Sequence, residues 1–173
     1  MNAAFTIAAL VALISTALVI TRKNVVHALL YLVVSLLAVA VIFFVLGAPF
    51  IAALEVIIYA GAIMVLIIFV IMMLNLGHRS IDEERRLLAG KIWVGPSLLS
   101  LILLVELIAV IGQRSDPDRV RIVIGPKEVG IALFGPYLLG VELASVLLLA
   151  GLIGAYHLGR RDATAEAAGG NQS

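Results

Sequence analysis

Three glutamates stand within long apolar runs, and they are the residues of this sequence best placed to do chemistry: Glu55, Glu106 and Glu142. A charge at the centre of a lipid bilayer costs at least about 2.5–3.5 kcal/mol, so an acid there usually marks a partner, a cavity or a proton route. Each carboxyl could be neutral part of the time, as a proton carrier requires. The alternative is a structural role, in which a protonated carboxyl hydrogen-bonds a neighbouring helix. We favour that alternative for Glu106 and leave both open for the other two.

Glu55 begins the most informative stretch of the sequence. Tyr59 follows four residues later, so on an α-helix the carboxyl and the phenol share a face and can meet the same water molecule. Gly61 then lies between two alanines, where it allows a close backbone approach or a change of helical winding at low steric cost. The residues after it are wholly apolar, and they include Met64, Val65, Phe69 and Met72.

The third span thus has a polar half and an apolar half that meet at Gly61, and this arrangement suits a gate. One extra residue accommodated near Gly61 as a π-bulge would turn the following half by about 100°, since an α-helix has about 3.6 residues per turn. Val65 and Phe69 would then move on or off a water path, and an apolar constriction of this kind closes by dewetting. The alternative is that Gly61 only permits tight packing, while Val65, Phe69 and Met72 face lipid or neighbouring helices.

The composition indicates what must position these residues. The chain of 173 residues is 63% hydrophobic and 13% charged, with a mean hydropathy of +1.18, whereas soluble domains are nearer about 45–50% and 25%. Its apolar runs match the roughly 20 residues that an α-helix needs to cross a bilayer. We predict an all-α polytopic membrane protein with five transmembrane helices, at about 3–20, 25–46, 50–75, 92–112 and 133–158.

The basic residues predict the orientation of these helices. Five spans place the chain ends on opposite sides, and the two sides carry Arg22, Lys23, Arg79, Arg85, Arg86, Lys91, Arg160 and Arg161 against Arg114, Arg119, Arg121 and Lys127. The positive-inside rule then puts the N-terminus outside and the C-terminus in the cytoplasm. At about 1.5 Å per residue, the three glutamates lie roughly 9–14 Å deep in the outer half. We predict that residues 1–160 form one five-helix transmembrane domain and that 161–173 form a disordered cytoplasmic tail.

The segments outside the third span carry weaker signals. The outer loop 113–132 has a short β-branched run between turn residues and either holds a local strand or lies along a neighbour. His27 beside Asn24 is more in keeping with an interfacial hydrogen-bonding residue than with a proton relay. In the fifth span, small residues recur four apart, which is typical of faces that pack against helices of other subunits.

The composition also excludes several kinds of function. Without cysteine the chain can form no disulfide, no thiolate-bound iron-sulfur cluster and no thiol nucleophile. A net charge of +1 provides no basic stripe for nucleic acid. The three histidines, His27, His78 and His157, are far apart and lack metal-ligand spacing. We predict no cofactor or metal on this chain and no catalytic residue.

Three stretches together resemble a known family: Asn24–Tyr31, Ala53–Asn75 and Gly135–Ala150. They are similar to subunit J of bacterial proton-pumping NADH-quinone oxidoreductases, or respiratory complex I, whose mitochondrial counterpart is the sixth organelle-encoded hydrophobic subunit. The resemblance implies a non-catalytic, multi-pass subunit of the bacterial inner membrane. It would lie between the quinone-site subunits and the antiporter-like subunits, and NADH, FMN, iron-sulfur clusters and quinone would belong to these and other partner subunits.

The resemblance also implies a mechanism. In this family the third helix carries a π-bulge near the residues matching Tyr59 to Val65, and its straightening is proposed to make or break a water wire that joins quinone chemistry to the pumps. The expected proton path or gate then comprises Glu55, Tyr59, Gly61, Met64, Val65, Phe69, Met72 and Glu142. Two alternatives stay open: a passive scaffold of the same or a sister redox-driven pump, and an autonomous small proton channel.

Overall fold

The computed structural model describes residues 3–22, 24–73, 93–112 and 123–159. The first two helices are α1 (Ala3–Thr21) and α2 (Val25–Val45). The third span, Pro49–Met73, consists of α3 (Pro49–Leu54), a π-helical segment (Glu55–Ile63) and α4 (Met64–Met73). The remaining helices are α5 (Val94–Gly112), α6 (Pro126–Leu133) and α7 (Leu138–Gly159). Five helices in the described residues are long and apolar enough to cross a membrane, which confirms the predicted all-helical class and number of spans.

The chain divides into two compact units, Met1–Gly125 and Pro126–Ser173. The first contains four of the five candidate spans, and the second contains α6 and the fifth span, α7. The tail predicted for 161–173 lies outside the described residues, and the prediction of a single domain over 1–160 stays a prediction.

The core of the first unit forms where α1, α2 and α5 meet. Its buried residues are Ala8, Val11, Val34, Ala38, Val41, Val45, Leu103 and Val110. Ala8 and Ala38 are fully buried, and such small side chains let helix backbones approach closely. Between α1 and α2, the hydroxyls of Thr16 and Ser35 lie 2.8 Å apart in a hydrogen bond, which gives the buried Ser35 hydroxyl a partner.

The start of α2 is fixed by a cap and an aromatic contact. The Asn24 side chain accepts hydrogen bonds from the backbone amides of Val26 and His27, which satisfies two of the amides left free at a helix start. One turn later the Tyr31 ring lies 5.0 Å from the His27 ring, with the Arg22 guanidinium 5.5 Å from its centroid. Tyr31 is only 3% exposed, and its hydroxyl lies against Gly95 of α5.

The turn after α2 depends on glycine. Gly47 has a φ of 89°, a left-handed conformation that side-chain-bearing residues rarely adopt. Its carbonyl accepts a hydrogen bond of 2.9 Å from the amide of Ile124. The turn is therefore tied to a segment far along the chain, just before the second unit.

The second unit differs from its sequence prediction at two points. Part of the predicted loop 113–132 is α6, a helix that begins with Pro126 and has Glu128 in its first turn. Both are recognised helix-start signals. The fifth span begins at Leu138 rather than at 133, because Gly135 and Pro136 lie in a turn between the two helices. The β-branched residues Val120 to Ile122 lie outside the described residues.

The contact between Tyr31 and Gly95 predicts a steric effect. A β-carbon at position 95 would overlap the Tyr31 hydroxyl, so we expect Gly95→Ala to weaken α2–α5 packing by about 1–3 kcal/mol, the usual cost of overpacking. The thermal midpoint of the purified assembly should fall, and adding Tyr31→Phe should recover part of the loss. Gly112→Ala is the control, since its β-carbon would meet nothing within 4 Å. Equal midpoints for the Gly95 and Gly112 variants would contradict this packing.

Candidate functional site in the third span

The third span changes its winding in the middle. α3 ends at Leu54, and the next nine residues, Glu55–Ile63, are π-helical before α4 begins at Met64. The amide of Met64 donates to the carbonyl of Tyr59, five residues back, which is the bond that defines π winding. It also reaches the carbonyl of Gly61, three residues back, at the point where the π segment ends. The π winding expected near Gly61 is therefore present, and it extends over nine residues.

Gly61 is the residue of the π segment at which the lack of a side chain matters for this winding. A β-carbon there would lie 3.2 Å from the carbonyl oxygen of Val56, a tighter contact than nine in ten real β-carbons make. Val56 is five residues before Gly61, so this crowding comes from the π turn itself. Any side chain at position 61 would press on the backbone that the π winding brings close.

The polar residues of the expected gate lie along the π segment. Glu55 is its first residue and is partly exposed, and Tyr59, one turn later, is exposed. None of the nine residues is buried within the chain. The segment packs on one side against α2, while the remaining surface is open to whatever surrounds the subunit.

Met64 marks the boundary between the two windings. Its side chain is only 1% exposed and is the single buried residue of α4. Val65, Phe69 and Met72 follow on exposed positions, at 64%, 51% and 70% of their full surface. Met64 is thus buried, whereas the three expected gate residues that follow it in α4 are exposed. Which side chains of α4 are buried and which are exposed depends on the rotation of α4 about its own axis.

An apolar groove borders the start of the π segment. It has a volume of about 520 Å³ and lies between α2, α3 and α5, with Val56 of the π segment in its wall. Protein interiors contain few voids much larger than a water molecule. The groove therefore gives the third span room that a close-packed helix would lack. This space could not be predicted from residue types, because it depends on how three helices pack.

The other two glutamates have different surroundings. Glu106 is 7% exposed and buried in the first unit, whereas Glu142 lies on an exposed position of α7 in the second unit. Close to Glu142, the Ser145 hydroxyl donates to the Val141 carbonyl at 3.0 Å. In the described residues no three His, Cys, Asp or Glu side chains come together as metal ligands.

Comparison with known proteins agrees with the architecture. The family model for NADH-ubiquinone/plastoquinone oxidoreductase chain 6 matches residues 15–158. The chain is 58% identical to NADH-quinone oxidoreductase subunit J of Pseudomonas aeruginosa over 164 residues, which cover 94% of this chain and 99% of the relative. Its identity to subunit J of Escherichia coli K12 is 54% over 166 residues, or 96% and 90% of the two chains. For Buchnera aphidicola from Schizaphis graminum the value is 52% over 160 residues, or 92% and 98%.

The chain belongs to the NADH-ubiquinone/plastoquinone oxidoreductase chain 6 family. The resemblance noted in the sequence is thereby confirmed. The family match covers the second, third and fourth candidate spans in full, the fifth except for its last residue and part of the first, and most of it lies within the described residues. The π segment, Glu55–Ile63, lies inside the region that the family model matches, so it belongs to the part of this chain 6 family member that is shared with its relatives.

The crowding at Gly61 predicts the winding of a variant. We expect Gly61→Ala to disfavour the π form by about 1–3 kcal/mol relative to an α-helical third span, since the added methyl overpacks against the Val56 carbonyl. A high-resolution map of the assembly carrying the variant should show a shorter π segment. The matched control is Gly112→Ala, which adds the same methyl in open space. An unchanged stretch from Glu55 to Ile63 in the Gly61 variant would show that the contact does not govern the winding.

Proposed function

We propose that this chain is a membrane subunit of an NADH-quinone oxidoreductase, in which the third span gates a proton route. The family match and the subunit J relatives support the assignment to the complex. NADH, FMN, iron-sulfur clusters and quinone are assigned to partner subunits. The sequence contains no cysteine to hold an iron-sulfur cluster and no glycine-rich loop to bind the phosphates of NADH or FMN. The chain itself is a non-catalytic, coupling subunit.

The observation that carries the gate is the π segment. π-helical turns are rare in proteins and are frequently found at functional sites. Here the π stretch joins a polar half, with Glu55 and Tyr59, to an apolar half that begins at Met64. A switch to α winding keeps every backbone group bonded, so it is feasible within lipid.

The switch would act by rotating α4. Releasing the one extra residue of a π turn rotates the following helix by about 100°, the angle between neighbouring residues. An adjacent residue would then take the buried position that Met64 occupies, and the side chains of Val65 and Phe69 would face a different direction. With these side chains in the water path the route dewets, and with them turned away it fills with water. The polar residues that we propose for the proton route are Glu55, Tyr59 and Glu142.

The partners are other membrane-arm subunits of the complex, at the quinone site and among the antiporter-like subunits. Support comes from α7, none of whose residues is buried within the chain. A β-carbon at Gly140, Gly151 or Gly154 would meet nothing within 4 Å. Small residues on a membrane helix allow close contact with another helix. The complex is proposed to lie in the bacterial inner membrane, with the N-terminus outside and the C-terminus in the cytoplasm.

Substitution of Gly61 by valine separates a gate from a passive scaffold. In the π form a β-carbon at position 61 would press on the Val56 carbonyl, and the stiff branched side chain of valine adds to this crowding. Gly61→Val should therefore disfavour the π winding and hold the third span in the α form. We expect normal amounts of assembled complex and a several-fold loss of NADH-driven proton translocation in inverted membrane vesicles.

The control for this test is Gly112→Val, which adds the same side chain to α5 where nothing lies within 4 Å. Normal coupling in an assembled Gly61→Val complex would contradict the gate and favour a scaffold. A purified chain that passes protons in reconstituted vesicles without partners would instead support an autonomous channel.

A further inference from the structure

Glu106 is a buried acid that the proposed gate does not use. Its side chain is 7% exposed and lies in α5 on the side that packs against α1. Neither carboxyl oxygen has a hydrogen-bond partner in the described part of the chain. The backbone of Ala8 faces the carboxyl, but an amide inside a helix already donates to the carbonyl one turn before it. Buried polar groups without a partner are rare and call for an explanation.

Among the described residues, the buried side chains of α1, α2 and α5 are all uncharged apart from Glu106 itself. Most of them form the apolar cluster where these three helices meet. The basic residues described in this unit, Arg22 and His27, lie near the opposite end of α1 and α2. Arg22 is 14 residues beyond Ala8, or about 20 Å along the helix. A carboxylate at Glu106 would therefore be a buried charge with no counter-charge.

A buried, unpaired carboxylate is strongly disfavoured relative to the neutral acid. The neutral acid has one O–H donor and retains acceptor capacity on both oxygens, and no residue in the described ranges is hydrogen-bonded to either oxygen. The proton therefore stays on Glu106 because burial disfavours the carboxylate, and not because a hydrogen-bond partner binds the neutral acid. Such a group keeps its proton while α1 and α5 are packed and can release it when water reaches the carboxyl.

We propose that Glu106 is a proton-binding site between α1 and α5, separate from the π segment, and that it exchanges its proton with water at the membrane surface where α1 begins. Ala8 is five residues from the start of α1 at Ala3, about 8 Å away. Glu106 is six residues from the end of α5 at Gly112, about 9 Å away. No residue of the π segment belongs to the buried cluster around it. The site does not depend on the gate.

The test is infrared difference spectroscopy of the intact complex at neutral pH. A protonated carboxyl has a C=O stretching band that carboxylates and amides lack, and the band shifts in D₂O as the O–H becomes O–D. The spectrum of the parent complex minus that of Glu106→Gln should contain one such band, and the band should shift after transfer to D₂O. Glu128→Gln is the control, because Glu128 is exposed in the first turn of α6 outside the spans, and it should remove only carboxylate bands.

Two results would overturn the proposal. If Glu106→Gln removes carboxylate bands instead, the residue is ionised at neutral pH. If the protonated band is present but never shifts in D₂O, the acid is locked and does not exchange. Should the glutamine variant fail to assemble, Glu106→Asp keeps the acid, and its difference spectrum must show a displaced protonated band rather than a carboxylate one.

Discussion

The close approach of the Val56 carbonyl to Gly61 is the contact on which the third span depends. Only 3.2 Å separates that oxygen from the place a β-carbon would occupy, and the two residues are five apart, as π winding requires. The absence of a side chain at position 61 makes the π form accessible without crowding. The rotation of α4, and with it the buried position of Met64, follows from this winding. A change at one glycine would therefore reach residues two turns further along the helix.

The membrane makes such a change of winding feasible. In lipid, an unsatisfied amide or carbonyl costs several kcal/mol, which prevents a helix from simply breaking. Both π and α windings keep backbone groups bonded, to the carbonyl five or four residues back. The two forms can thus be close in free energy while they place side chains on different faces. The apolar groove beside Val56 supplies space for the rearrangement, and the exposed surface of the π segment leaves it in contact with neighbours that can bias it.

Much of the architecture could be predicted from apolar run length, because each crossing helix needs about 20 such residues regardless of its neighbours. The glycine between Glu55 and the dry half of the third span could be recognised as a point of variable winding from residue type alone. The extent of the π segment could not, since it depends on backbone packing over nine residues. The helix α6 was missed although Pro126 and Glu128 signalled its start. The burial of Glu106 required knowledge that α1 packs against α5, which no local pattern contains.

The most direct test of the central claim is a pair of high-resolution maps of the whole complex, one at rest and one trapped during turnover. The account predicts that Glu55–Ile63 is π-helical in one map and α-helical in the other. Met64–Met73 should be rotated by about 100° between them, with ordered water beside Val65 and Phe69 in one map only. The same winding in both maps, with a dry third span throughout, would contradict it.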